Sequence, residues 1–102
     1  MDLGLKNKNA AITGASQGIG EAIAHSLANE GCNIAICARN QERMDQTIAE
    51  IQAKGVKAVG VISDLSSEAG CQHFIEEAVQ QLGSLQILVN NVGAVSYTHL
   101  TL

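Results

Sequence analysis

Proline and tryptophan are absent from this chain of 102 residues, and Phe74 and Tyr97 are its only aromatic side chains. A core must therefore be packed from alanine, valine, isoleucine and leucine, the style of a layered α/β domain. Charge is sparse: six basic and ten acidic residues give a formal charge of −4, with no run of like charges. The broad basic footprint of a nucleic-acid binder is missing, so any ligand phosphate must be met by local groups. No apolar stretch approaches the roughly 20 residues that span a bilayer, and the opening MDLGLKNKN lacks the apolar segment of a signal peptide. These absences predict a soluble, cytoplasmic protein with neither nucleic acid nor membrane as a partner. Cys32, Cys37 and Cys71 are odd in number and form no C-x-x-C pair, which predicts reduced thiols acting as small apolar fillers. His25, His73 and His99 show no metal-ligand spacing, so no metal site is expected.

What the sequence does contain is organised around Thr13 to Gly20, TGASQGIG, where the short apolar run Ala10-Ala11-Ile12 stops and a helical pattern begins at Ile19. Glycines at this spacing suit a strand-to-helix turn whose backbone approaches a pyrophosphate at a helix N-terminus. A P-loop is excluded, because Ile19 and Gly20 stand where G-K-[ST] would be required. Ile19, Ile23 and Leu27 then repeat every four residues up to Gly31, and Asn33 to Ala38 reads as a strand buried on both faces. A second helix is expected over Gln41 to Lys54, a third strand over Lys57 to Ile62, a third helix capped by Ser66 and stopped by Gly83, and a fourth strand over Gln86 to Asn90.

Four strands alternating with helices predict a parallel, doubly wound sheet of Rossmann type. Right-handed crossovers put the first two helices on one face and the third on the other, with strand order 3-2-1-4 and a topological switch between strands one and four. Ligands bind such sheets beyond the carboxyl ends of the strands at that switch. The polar and glycine residues expected there are Thr13 to Gln17, then Arg39 and Asn40, then Ser63 and Asp64, then Asn90, Asn91 and Gly93.

With these residues in place the sequence resembles the classical short-chain dehydrogenase/reductase family, over residues 5 to 94 or so. TGASQGIG is similar to the family's T-G-x-x-x-G-x-G, Asp64-Leu65 to its adenine-pocket aspartate and neighbour, and Asn90 to Gly93 (NNVG) to its N-N-A-G, with Val92 replacing alanine. The resemblance implies that Gly14, Ser16, Gln17, Gly18, Ile19 and Gly20 hold the cofactor's phosphates and ribose. It further implies that Asp64 and Leu65 flank the adenine, and that Asn91, Gly93 and Ala94 support the ribose beside the nicotinamide. Arg39 and Asn40, after the second strand, stand where a base pairs with a 2′-phosphate and an acid would take both ribose hydroxyls. The nearest acid, Glu42, is a helical turn further on, so NADP(H) is favoured over NAD(H). The competing assignments are a solvated loop arginine at Arg39, a turn residue at Asp64 and a strand-bridging residue at Asn91.

The implied activity is hydride transfer between nicotinamide and a carbonyl or secondary alcohol, as in 3-oxoacyl-thioester reductases, with a small-molecule or acyl-thioester substrate and a homo-oligomeric parent. A non-catalytic NADP(H)-sensing module is the alternative. The family's catalytic Tyr-x-x-x-Lys pair is not met, because Thr101 stands four residues after Tyr97, and no catalytic residue is assigned. Residues 1–94 are expected to form an NADP(H)-binding half-domain that lacks the later strands and helices. The closing VSYTHLTL, residues 95–102, offers no helix start and resembles a translated adaptor sequence. A half-domain of this kind leaves the fourth strand as an apolar edge, and the isolated polypeptide is expected to be marginally stable or to aggregate.

Overall fold

The computed structural model describes residues 4–13, 18–38 and 40–90. The chain runs β1 (Asn9–Thr13), α1 (Gly18–Asn29), β2 (Asn33–Ala38), α2 (Gln41–Gln52), β3 (Ala58–Ile62), α3 (Glu68–Leu82) and β4 (Ile87–Val89). All pairings are parallel, in the order β3-β2-β1-β4. This is the expected doubly wound sheet. The chain walks outward from β1 to β3 and then returns to the other side of β1, which opens the switch between β1 and β4.

Side chains alternate across a strand, so each central strand feeds two cores. Ala10, Ile12, Ile34 and Ile36 turn toward α1 and α2, where they meet Ala24, Ala28, Met44 and Ile51. Ala11, Ala35 and Cys37 turn the other way and pack with Val61 under Phe74 and Ala78 of α3. Alanines in β1 and β2 let the helices approach closely. On β3 the approach is closer still: a Cβ at Gly60 would overlap Ile48 and lie 2.8 Å from Met44 Cε.

The helix ends are set by local chemistry. Gly83 closes α3 in the left-handed conformation, φ 94°, with its N–H bonded to the Val79 carbonyl, as its position in the sequence predicts. The N-cap of α3 is corrected by one residue. Ser67, not Ser66, has the extended backbone and accepts the Gly70 N–H at 2.9 Å, while Ser66 is tied to the Asp64 carboxylate. Helix α2 ends at Gln52 and not Lys54, and strands β3 and β4 are shorter than the periodicity suggests. Among the described residues, no helix is long and apolar enough to cross a membrane.

At the amino ends of the strands a polar hub centred on the buried Asn9 replaces apolar packing. Asn9 donates through Nδ2 to the carbonyls of Leu82 and Ser84 and to Ser84 Oγ, at 3.3, 3.1 and 2.9 Å. Its Oδ1 accepts from Asn33 Nδ2 at 2.9 Å, and Asn33 Oδ1 in turn accepts the Lys57 N–H at 3.0 Å. One chain of amides thus sets the register of β1 on β2, meets the residue leading into β3, and anchors the turn before β4.

Cys32, Cys37 and Cys71 are free thiols, the first two buried. Burial pushes the Cys37 thiol up from its ordinary 9.0 to about 11, against the lowering effect of its bond to the Ser63 carbonyl and with a smaller upward push from Cys71. Between these values the folded state binds more protons than the unfolded state, so stability falls as pH rises. The contribution is fully present below pH 9 and is lost toward about 11. Urea midpoints measured across this window are expected to fall, and Cys37→Ala to flatten the decline. An equal decline in both proteins would assign the alkaline loss to other groups.

Candidate functional site

Because the sheet is parallel, the carboxyl ends of all four strands lie on one edge. The register pairs Thr13 with Cys37 and Cys37 with Val61, and Ile12 with Val89. Thr13, Asn40, Ser63 with Asp64, and Asn90 therefore follow their strands onto the same side of the molecule.

Thr13 joins the two sides of the switch. Its Oγ1 lies 3.4 Å from the Val89 carbonyl and 3.2 Å from Asn90 Oδ1, so the hydroxyl ties the end of β1 to the end of β4. Beyond it, Gly18 opens α1 with φ 66°, a left-handed conformation in which any side chain would be strained. Ile19 follows in the first turn and is 72% exposed, the most open of the large apolar residues described, while Gly20 is buried. An apolar side chain presented beside a helix N-terminus, with a glycine on either side, fits a flat ligand carrying phosphate.

At β2, Asn40 caps α2. Its Oδ1 accepts the Arg43 N–H at 2.9 Å, and Glu42 occupies the first turn. At β3, the Asp64 carboxylate Oδ1 accepts from both the N–H and the hydroxyl of Ser66, at 2.9 and 2.6 Å. The half-buried Leu65 packs against the α3-side core, and its carbonyl accepts from Cys71 Sγ at 3.4 Å. The described positions include Gly18, Ile19, Gly20, Asn40, Asp64 and Leu65, with Asn40 acting as the N-cap of α2. Gly14, Ser16, Gln17, Arg39, Asn91, Gly93 and Ala94 lie outside the described residues, as does Tyr97.

The fold also brings Glu50 of α2 to a pair, Glu21 and His25, that stands one turn apart on α1. His25 on α1 comes within 3.2 Å of Glu50 on α2, and the ligand atoms of Glu21, His25 and Glu50 all lie within 4.8 Å of one another. Arg43 on α2 pairs with Glu21 at 3.8 Å. Among the described residues these contacts join the two helices on the α1 and α2 face.

Comparison with known proteins bears on this geometry. The family model for short chain dehydrogenases matches residues 8–101. The 3-oxoacyl-acyl-carrier-protein reductase FabG of Staphylococcus epidermidis is 41% identical over 88 residues, which are 85% of this chain and 36% of that protein. The chain therefore spans about a third of the length of the curated relatives it matches. L-sorbose reductase from Gluconobacter frateurii, solved with NADPH and L-sorbose, superimposes with a TM-score of 0.86 at 37% identity, over 97% of this chain and 38% of that one. NAD+-bound xylitol dehydrogenase superimposes with a TM-score of 0.82 at 34% identity, over 87% and 34% of the two chains.

Proposed function

Since this chain belongs to the short-chain dehydrogenase family, we propose that it is the cofactor-binding part of an NADP(H)-dependent oxidoreductase acting on a carbonyl or secondary alcohol. The observation that carries this reading is the shared carboxyl edge at the switch point, where the Gly18 turn, Thr13, Asn40, Asp64 and Asn90 follow four different strands. Four strand ends furnished in this way are far more restrictive than one glycine pattern.

The residues present fit a dinucleotide. The N-terminus of α1 directs backbone N–H groups toward a pyrophosphate, and a side chain at Gly18 would strain that turn. Exposed Ile19 offers apolar contact, and the held carboxylate of Asp64 can accept from the exocyclic amine of adenine, with Leu65 beside the ring. Gly14, Ser16 and Gln17 would complete the phosphate turn, and Asn91, Gly93 and Ala94 the ribose support. Arg39, next to the α2 cap, would pair with a 2′-phosphate as a bidentate cation. The bound nicotinamide supplies the hydride chemistry; this chain positions it and excludes water around the phosphates.

The FabG relative acts, by its name, on 3-oxoacyl-acyl-carrier-protein, and a ketone or acyl thioester is the substrate class proposed for the whole protein. Fluorescence titration with NADPH and NADH is expected to give saturable binding of both, with NADPH the tighter by at least tenfold, about 1.4 kcal/mol. Equal affinities would remove the NADP(H) assignment and leave the dinucleotide site. Absence of binding to either would overturn the reading as a whole.

A further inference from the structure

Asp64 lies in a tight junction between β3 and α3. Two hydrogen bonds from one residue help to hold its side chain: the N–H and Oγ of Ser66 both reach Asp64 Oδ1, at 2.9 and 2.6 Å. A carboxylate bonded twice at one oxygen loses rotation about its terminal torsion, which is otherwise soft. The backbone beneath is held as closely. Ser67 Oγ and N–H both approach the Asp64 carbonyl, at 3.3 and 3.4 Å, and Ser63 Oγ donates to the Gly70 carbonyl at 2.7 Å. Gly70 leaves room for this closure: a Cβ there would overlap the Asp64 carbonyl oxygen and lie 2.7 Å from its carbon.

We propose that Ser66, with Gly70 behind it, is a positioning residue that sets adenine selectivity by fixing the direction of the Asp64 carboxylate. This rests on the reading of Asp64 as the acceptor for the adenine amine. The amine donates along a narrow direction, and a carboxylate free to rotate presents an oxygen there only part of the time. Hypoxanthine carries a carbonyl in place of the amine and places an acceptor against that oxygen, so a fixed carboxylate rejects it. Ser66 acts by sharpening this discrimination and touches no ligand atom itself.

The test is the ratio of dissociation constants for nicotinamide hypoxanthine dinucleotide phosphate and NADP+, measured calorimetrically on the full chain. The native protein is expected to favour adenine by roughly tenfold, Asp64→Ala to abolish the preference, and Ser66→Ala to reduce it roughly threefold. Ser66→Thr keeps the hydroxyl and restores the ratio. Gly70→Ala moves the Asp64 peptide and lowers the ratio further, and nicotinamide mononucleotide binds all variants alike. A merely structural role for Ser66 would weaken both dinucleotides equally, and an unchanged ratio in Ser66→Ala, with Asp64→Ala still collapsing it, overturns the positioning role alone. A ratio unaffected by Asp64→Ala overturns the adenine assignment and the proposal with it.

Discussion

Arg39→Asp is expected to invert the cofactor preference, lowering affinity for NADPH about a hundredfold relative to NADH. Arg39 follows Ala38, the last residue of β2, and precedes Asn40, the cap of α2. A 2′-phosphate beside this junction would meet a bidentate guanidinium in the native protein and a carboxylate in the variant. Loss of a charge-assisted hydrogen bond is worth about 1.5–3 kcal/mol, and like-charge repulsion adds to it. The new aspartate would also accept both ribose hydroxyls of NADH, so the two affinities move in opposite directions. Glu42, in the first turn of α2, already places one negative charge near the junction. The proposed preference for a 2′-phosphate would therefore depend on Arg39 outweighing it, and removing the cation would leave two acids in place. The measurement is a pair of titrations on the native and substituted proteins. An unchanged ratio shows that Arg39 does not select the cofactor.

Asn9→Ala is expected to lower the unfolding free energy by about 3 kcal/mol. Asn9 is 6% exposed, and its two amide hydrogens serve three acceptors on the α3 to β4 connection while its oxygen accepts from Asn33. Truncation leaves Asn33 Nδ2 without that acceptor and removes the donor to the Leu82 and Ser84 carbonyls. These bonds lie in partly buried surroundings, so part of the desolvation penalty is retained. In urea the midpoint should fall by roughly 1–3 M, given ordinary slopes for small domains. The hub lies at the amino ends of the strands, opposite the carboxyl edge. Cofactor affinity of the folded variant is therefore expected to stay within twofold of native. A loss below 1 kcal/mol would show that the amide chain is satisfied by water; a large loss of cofactor affinity would show that the two ends of the sheet are coupled.

The two substitutions divide the molecule as the physics does. The junction that holds Arg39 is legible in the sequence because a strand end followed by a helix cap is a local pattern. Asn9 is not legible. It begins an apolar run, and its partners Leu82 and Ser84 are more than seventy residues away. The same distinction explains the cap of α3: serines at 66 and 67 are equivalent by composition, and only the bond from Ser66 to Asp64 leaves Ser67 to take the cap. It also explains His25, whose spacing from Glu21 is visible within one helix but whose contact with Glu50 crosses two helices.

By itself the sequence determined the alternation of strands and helices, the parallel order β3-β2-β1-β4, and hence which edge of the sheet collects the carboxyl ends of the strands. These follow from apolar periodicity, glycine punctuation and the right-handed crossover, all of which act within about thirty residues. Only the tertiary structure decided the Asn9 hub, the closure of Gly70 on Asp64, the overlap that keeps Gly60 without a side chain, and the His25 pair. Each of these depends on atoms brought within bonding or contact distance by packing of separate elements, and neither periodicity nor propensity carries information at that range.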